Sequence, residues 1–410
     1  MIYLGRVLDG YGRDVGHGIE VDASGAMVRL FSNSEAQAAS GDDVRRAHLI
    51  TPGLVDIHCH GGGGFAFPDN YKPEQIAAAI RTHQLAGTTA MFASLVSLAD
   101  PTPQLEALMA FCEDGQLAGI HMEGPYVSRQ KCGAQNPAVV RDIDEEELLG
   151  WLKIGRGWIK TMTIAPETPG ANRATELLLE HGGKPSWGHS HDDGSATRKE
   201  LQHTYAVVSQ TTDCAQVKKK SQAAQTVTHL FNAMTGFSHR APGPIREYIQ
   251  AAKAGKASAE LIADGYHVHP DLVEDIVEYL DGAALQLGIP GAFFVTDSLA
   301  AAGMPEGKYT LGGLPVEVRT GACYLEGTQT LAGGATTLAD QIALFAKRGK
   351  LTLGQLVRAT VAGPVYAAGI WDAQGVTVEF KPGKPVNLVA WDKDMGPIAV
   401  IREGVQLKSD

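Results

Sequence analysis

Two histidines separated by one residue end an apolar run in the stretch GLVDIHCHGGGG at residues 53–64. Alternate residues of a strand face the same side, so we expect His58 and His60 to project together and Cys59 to project away. Imidazoles held side by side are common ligands of catalytic Zn, Fe or Mn ions. The glycines that follow allow a tight backbone turn beside such a site. Taken alone, the pair fits a metal site and a strand running into a turn equally well.

Other titratable side chains stand near the ends of further short apolar segments: Glu123, His189, His229, Asp264, His267 and Asp297. A single histidine at a strand end is more often a hydrogen-bonded core residue than a ligand. Two neighbouring histidines, a carboxylate that can bridge, two further histidines and an aspartate are together sufficient for one metal ion or two. The combination at matching positions therefore predicts a metal centre.

The elements that must position these side chains alternate between short segments rich in Val, Ile and Thr and longer helical stretches. Eight such segments are GLVDIHCH, TTAMFASLVS, LAGIHMEG, WIKTMTIAPE, PSWGHS, TVTHLFN, SAELIADG and GAFFVTDS. Eight parallel strands close a (β/α)8 barrel, and active sites of such barrels form where the strands end. We predict an α/β fold with a TIM-like barrel over residues 51–370.

Both ends of the chain have a different pattern of short strand-like segments and turn signals such as DGYG, DASG and KPGKP. We predict that residues 1–50 and 371–410 combine into one small β-sandwich domain beside the barrel. GVTVEF, NLVAWD and IAVIREG are its strand candidates in the second part.

Composition limits the classes of partner. A net charge of −11 argues against a nucleic-acid binder and against attraction to an anionic membrane, so an anionic substrate needs a local binding cluster. The 5 cysteines include no CxxC pair, which indicates reduced thiols and no disulfide framework. No signal peptide and no apolar run of membrane-spanning length is recognised, so we expect a cytoplasmic protein.

The chain resembles the amidohydrolase superfamily and, within it, the N-acetylglucosamine-6-phosphate deacetylases. The motifs that carry the resemblance are HMEGPYVS (121–128), GHS (188–190), HLFNAM (229–234), ADGYHVHP (263–270), VTDS (295–298), LAGG (331–334) and KPGKPVNLVAWD. The resemblance implies metal-dependent hydrolysis of the acetamide of N-acetylglucosamine 6-phosphate by a homodimer. It implies one or two divalent ions per subunit, with Zn as the first expectation and Fe or Mn as alternatives.

Position by position, the resemblance implies Glu123, His189 and His229 as metal ligands. His58 and His60 match a pair that holds a second metal together with Glu123 and Asp297, and Asp297 also matches the catalytic acid/base. Asn232 and Ala233 match a phosphate-binding turn, and Arg240 matches an arginine that reaches the neighbouring subunit's site. The implied substrate contacts are Gln135, Asn232, Ala233, Arg240, His267, Leu331, Ala332 and Gly333.

Three departures leave the substrate open. Gln135 stands where the family usually has a histidine, APGPIREYIQ follows Arg240, and residues 190–228 (39 in all) imply an insertion near the rim. These favour, as an alternative, N-acetylgalactosamine 6-phosphate or another N-acyl amino sugar. Less favoured are a cyclic-amide hydrolase, because Lys160 lies early in its strand, and a non-catalytic scaffold relative. Residues Lys218 to Lys220 are interpreted as a solvated surface.

Overall fold

A computed structural model describes residues 1–41, 43–211, 222–287 and 291–409. Within them, eight parallel strands form one sheet in chain order, and the predicted TIM-like barrel is confirmed. Its strands are β1 (Leu54–Asp56), β2 (Thr88–Leu95), β3 (Gly119–Glu123), β4 (Ile159–Ile164), β5 (Lys184–Trp187), β6 (Thr226–Val227), β7 (Ser258–Ile262) and β8 (Ala292–Val295).

The seam between β8 and β1 is bridged just beyond the ends of the two strands. The backbone N–H of Asp297 donates to the His58 carbonyl at 2.9 Å, and that of His60 donates to the Ser298 carbonyl at 2.8 Å. The Thr296 hydroxyl donates to Asp56 at 2.6 Å. The first and last strands are thereby joined at the rim where chemistry is expected.

Helices cover the outside of the barrel. They are Pro73–Leu85, Thr102–Glu113, Glu145–Gly155, Ala171–Glu180, Ser195–Thr211, Gly243–Lys253, Pro270–Leu287, Leu338–Arg348, Leu353–Thr360 and Ala362–Ala368. Asp144 caps Glu145–Gly155 by accepting two backbone N–H groups, as short polar side chains do at helix starts. The helical sequence pattern runs through residues 352–368 without interruption, but the structure has two helices there, which are separated at Val361. Pro364 explains the break, since it has no N–H for the preceding turn.

The strands of the barrel are buried on both faces, as expected for a parallel sheet covered by helices. Phe92, Trp187 and Phe293 are fully buried in the same hydrophobic core. Among the described residues, no helix is both long enough and apolar enough to cross a membrane.

The chain ends form one seven-stranded sheet with a small core of its own. Its strands are Ile2–Leu8, Asp14–Val21, Met27–Leu30 and Val44–Pro52 from the first part, and Leu388–Trp391, Pro397–Arg402 and Val405–Ser409 from the second. A short helix, Asn33–Ala38, precedes Val44–Pro52. The predicted joining of both ends is confirmed, and the boundaries at 50/51 and 370/371 stay a proposal. The strand expected at GVTVEF is wrong, because residues 375–380 are irregular, with a turn at Gly375 and a bend at Val378 and Glu379.

Two small sheets stand at the rim. Gly61–Gly62 pairs with Phe65–Ala66, and the turn between them uses Gly63 and Gly64 at φ of 60° and 90°. The second sheet, which the sequence did not predict, follows β8 and contains Lys308–Leu311, Leu314–Arg319, Ala322–Leu325 and Leu331–Gly333.

Candidate active site

Glu123, the last residue of β3, lies at the centre of the rim. Its Oε1 atom is 2.8 Å from His189 Nε2 and 2.9 Å from His229 Nε2. The two ring nitrogens are 3.0 Å apart. Carboxylate and imidazole atoms at these separations can surround a single metal ion.

A second group faces the other carboxylate oxygen of Glu123. His60 Nε2 lies 3.3 Å from Glu123 Oε2 and 3.2 Å from Asp297 Oδ1. His58 Nε2 lies 3.2 Å from His60 Nε2 and 3.3 Å from Asp297 Oδ1. Cys59 points the opposite way, towards His83 at 3.3 Å. The structure therefore brings all six predicted ligands into two clusters that share Glu123.

Three of these residues have a positive φ, a backbone conformation that residues other than glycine rarely adopt. His189, His229 and Asp297 follow β5, β6 and β8 with φ values of 48°, 28° and 49°. Such left-handed conformations cost free energy and concentrate at functional sites. They turn the chain at the strand ends while the three side chains face the rim centre.

The hydrogen bonds made by Nδ1 of His189 and of His60, on the side of each ring away from the clusters, support a fit to a metal ion. His189 Nδ1 lies 2.8 Å from the Lys131 carbonyl, and His60 Nδ1 lies 3.1 Å from the Ser94 carbonyl. A carbonyl oxygen only accepts, so Nδ1 carries the proton and the Nε2 lone pair faces the cluster. Neighbouring lone pairs at about 3 Å repel one another unless a cation lies between them.

The charges of the clusters favour a cation as well. Burial raises the pKa of Glu123, but His189 outweighs it and lowers that pKa well below its usual range. Burial likewise raises the pKa of Asp297, and His58 lowers it further than burial raises it. Burial lowers the pKa of His60, yet the adjacent carboxylates of Asp297 and Glu123, which favour uptake of a second proton by the ring, raise it to about 8. The carboxylates stay ionised and attract positive charge.

A cavity of about 350 Å³ opens beside the clusters. Its lining includes members of both ligand groups, without His58, and most of the predicted substrate contacts: Gln135, Asn232, Ala233, His267, Leu331, Ala332 and Gly333. Gln135 is buried, and its Oε1 accepts from the Ser97 backbone N–H at 3.0 Å and from the Ser97 hydroxyl. That carbonyl is fixed, and the described residues offer its buried Nε2 no partner.

Some predicted residues are placed elsewhere. Arg240 is exposed in residues 236–241 and does not line the cavity. Asp264 accepts from His267 Nδ1 at 2.7 Å and orients that ring instead of joining a ligand cluster. Lys160 donates to the Gly157 carbonyl at 2.7 Å, at the end of β4 away from the rim.

The insertion expected between His189 and His229 includes residues 212–221, which lie outside the described residues, so it stays a prediction. The rim loop at residues 188–194 is short, and the helix Ser195–Thr211 follows it. Ala223, which follows the undescribed residues, contacts Lys184 at the opposite end of β5. The interpretation of Lys218 to Lys220 as a solvated surface falls on residues 212–221, which lie outside the described residues.

Sequence reasoning missed Glu260 in β7. Its Oε2 lies 2.9 Å from His58 Nδ1 and accepts the His229 backbone N–H at 3.0 Å. Its signal was an acidic residue in the apolar segment SAELIADG. The carbonyls of Ser94 and Lys131, which hold two histidines, left no signal because every residue has a carbonyl.

A (β/α)8 barrel with histidine and carboxylate clusters at its rim defines a class of metal-dependent barrel enzymes. The model of the amidohydrolase family matches residues 49–407, and the chain belongs to this family, which is metal-dependent. The structure shows clusters able to bind a metal ion.

More particular similarity is to amino-sugar-phosphate deacetylases. The chain is 30% identical to the N-acetylglucosamine-6-phosphate deacetylase of Bacillus subtilis (strain 168), over 87% of this chain and 84% of the relative. It is 28% identical to the N-acetylgalactosamine-6-phosphate deacetylase of Escherichia coli O157:H7, over 86% and 85%. A solved mutant N-acetyl-D-glucosamine-6-phosphate deacetylase from Mycobacterium smegmatis, in complex with N-acetyl-D-glucosamine-6-phosphate, superimposes with a TM-score of 0.84 at 29% identity, covering 100% and 99% of the chains.

Proposed function

We propose that this chain hydrolyses the acetamide of N-acetyl-D-glucosamine 6-phosphate to glucosamine 6-phosphate and acetate. The observation that carries the proposal is the pair of clusters sharing Glu123, with Asp297 beside them, at the base of a cavity of about 350 Å³. The deacetylases of similar sequence and fold support the choice of substrate.

The residues fit one or two divalent ions, with Zn as first choice and Fe or Mn as alternatives. Glu123, His189 and His229 would hold one ion. His58 and His60, with Glu123 and Asp297, would hold the second. A bound divalent ion supplies a nucleophilic hydroxide at neutral pH and polarises the amide carbonyl.

Asp297 is the proposed proton carrier. Its Oδ1 faces the cluster, 3.2 Å from His60 Nε2. From there it accepts the proton of the attacking water and delivers it to the departing amine nitrogen. Without that delivery, the C–N bond would have to expel a strongly basic amide anion.

The cavity lining supports a sugar phosphate. Asn232 and Ala233 are proposed to bind the phosphate, and His267, oriented by Asp264, to bind the sugar or the amide carbonyl. The residues proposed beside the acetyl group are Leu331, Ala332 and Gly333. These contacts supply the local polar cluster that an anionic substrate needs in an acidic protein.

We also propose a homodimer in which Arg240 completes the phosphate site of the neighbouring subunit. Arg240 is exposed and lies outside the cavity of its own chain, next to Phe237, whose exposure is 61%. An exposed aromatic side chain beside an arginine suits a subunit contact. A cytoplasmic location fits the buried free thiols of Cys59, Cys112 and Cys323.

The second candidate is the same reaction on N-acetylgalactosamine 6-phosphate. Gln135 favours it, because a neutral, fixed amide replaces the usual histidine in the cavity and offers Nε2 as a donor. The Escherichia coli relative named for that substrate adds support. A cyclic-amide hydrolase is disfavoured, since Lys160 faces away and Glu123 occupies the bridging position. A scaffold protein is disfavoured because both clusters are complete.

The test is acetate release from a panel of 6-phosphorylated N-acetylhexosamines, with protein purified in the absence of chelators. We expect the highest kcat/KM for the glucosamine derivative, and loss of activity after chelation that added metal restores. Highest kcat/KM for the galactosamine derivative would select the second candidate. No acetate from any member, by metal-loaded protein, would refute both candidates.

A further inference from the structure

Glu260 connects the two ligand clusters through a single oxygen atom. The side chain is buried, with 1% of its surface exposed, and it projects into the barrel from β7. Its Oε2 lies 2.9 Å from His58 Nδ1, in one cluster, and 3.0 Å from the backbone nitrogen of His229, in the other. A buried carboxylate is costly unless it is paired, so these contacts account for its presence in the core.

On the His58 side, the contact fixes the direction of the ring. The carboxylate accepts from Nδ1–H, and this leaves the Nε2 lone pair directed at His60 and Asp297. His121 packs edge-on against the same ring, with centroids 4.3 Å apart. Among the described residues, Glu260 is the group that accepts from Nδ1 and so selects the tautomer of His58 that presents the Nε2 lone pair to the cluster.

On the His229 side, the contact supports a strained backbone. His229 has a φ of 28°, and its N–H donates to the side-chain carboxylate of Glu260 rather than to a backbone carbonyl of a neighbouring strand. The next residue, Leu230, donates its N–H to the Glu260 backbone carbonyl at 2.9 Å. Glu260 therefore holds this turn with both its side chain and its backbone.

We propose that Glu260 is a positioning residue that holds His58 and His229, one from each cluster, in place relative to each other. Binding of the second metal ion, at His58 and His60, depends on it. The first ion depends on it less, because Glu123 and His189 are held by contacts that do not involve Glu260. This inference rests on the proposed metal-dependent function. Removing a group that orients a metal-binding histidine typically weakens metal affinity about 10- to 100-fold.

The experiment compares metal content and affinity in the full chain, using Zn²⁺ alone with a competing chelator, and Co²⁺ absorption as a spectroscopic signature. The variants are Glu260→Leu, which cannot accept a hydrogen bond, and Glu260→Gln, which keeps an acceptor but loses the charge. Glu274→Gln is the matched control, since Glu274 is also buried but pairs with Arg348 at 2.7 Å, outside both clusters.

We expect two ions per chain in the wild type and in Glu274→Gln, and one in Glu260→Leu. In Glu260→Gln we expect two, with the second bound about 10-fold more weakly. If Glu260→Leu does not fold, the affinity measured for Glu260→Gln decides. Unchanged second-site affinity in the variants that fold, or a wild type that binds only one ion, would overturn the inference. Acetate release by the wild type tests the proposed function separately, because a chain with two ions and no deacetylase activity would refute only that function.

Discussion

Asp297 Oδ1 lies 3.2 Å from Nε2 of His60, and the Asp297 backbone turns there at a φ of 49°. The carboxylate reaches this position because the backbone N–H of Asp297 donates a hydrogen bond across the barrel seam to the His58 carbonyl. The hydrogen bond that closes the barrel seam therefore also positions Asp297, the proposed proton carrier.

Replacing Asp297 with asparagine should remove proton transfer with little change in shape. We expect kcat/KM for acetate release to fall about 10²- to 10⁴-fold, the usual contribution of a positioned acid/base group. Metal content should be measured on the same samples, with at least one ion per chain retained at Glu123, His189 and His229. Full activity of Asp297→Asn would rule out its role as proton carrier.

The double variant His58→Gln with His60→Asn should separate the two clusters. Both replacements are neutral amides of similar reach, so we expect the variant to keep the ion at Glu123 and to lose the second. Elemental analysis beside the wild type measures this directly. Equal stoichiometry in the two proteins would show that these histidines hold no metal.

Gln135 is expected to act on the substrate through its Nε2. Leucine at this position removes that donor and leaves the buried Ser97 N–H without its acceptor. We expect a loss of kcat/KM of about 3- to 10-fold, and a cost of about 1–3 kcal/mol in stability. Gln135→His, measured on both epimers, should shift their kcat/KM ratio. A ratio identical to that of the wild type would remove Gln135 from substrate selection.

Arg240 offers a test of the proposed dimer by complementation. Arg240→Ala should raise KM for the phosphorylated sugar and leave the unphosphorylated sugar unaffected. Mixing Arg240→Ala with Asp297→Asn and allowing the subunits to exchange should restore activity, because one site of each mixed dimer receives both residues intact. Mixing that restores nothing, despite proven exchange, would place Arg240 in its own subunit's site or in none.

Lys184 predicts a pH dependence of stability. Its Nζ donates to the carbonyls of Ala223 and Ala367, at 2.8 Å each, and burial lowers its pKa from 10.5 to about 7. Between these values the unfolded chain holds the proton and the folded chain does not, so rising pH stabilises the fold.

Relative to Lys184→Met, the wild type should therefore gain unfolding free energy between about pH 7 and about pH 10, by up to about 1.4 kcal/mol per pH unit. Denaturant unfolding of both proteins across this window measures the difference. A difference that stays constant with pH would show that Lys184 keeps its proton in the folded state.

Much of this architecture could be predicted because its signals are local. Each barrel strand is a short apolar segment, and the predicted ligands stand at the segment ends. His58 and Glu123 could therefore be placed on one rim of the barrel from the amino-acid sequence alone. Glu260 could not, because an acidic residue inside a strand reveals its role only through a partner 202 positions away. The rim sheet from Lys308 to Gly333 was missed because its strands alternate polar and apolar residues weakly and pair only with one another.

The sheet built from both chain ends also affects how the protein is made. Trp391 donates its indole N–H to the Thr51 hydroxyl at a sequence separation of 340 residues. During synthesis, Val44–Pro52 leaves the ribosome long before its antiparallel neighbour Leu388–Trp391 exists, so one strand edge stays open while the barrel grows. Open edges invite intermolecular pairing, and contacts of such long range form slowly. In a chain truncated before Leu388, the edge of Val44–Pro52 would stay unpaired, and we expect such a chain to aggregate during expression.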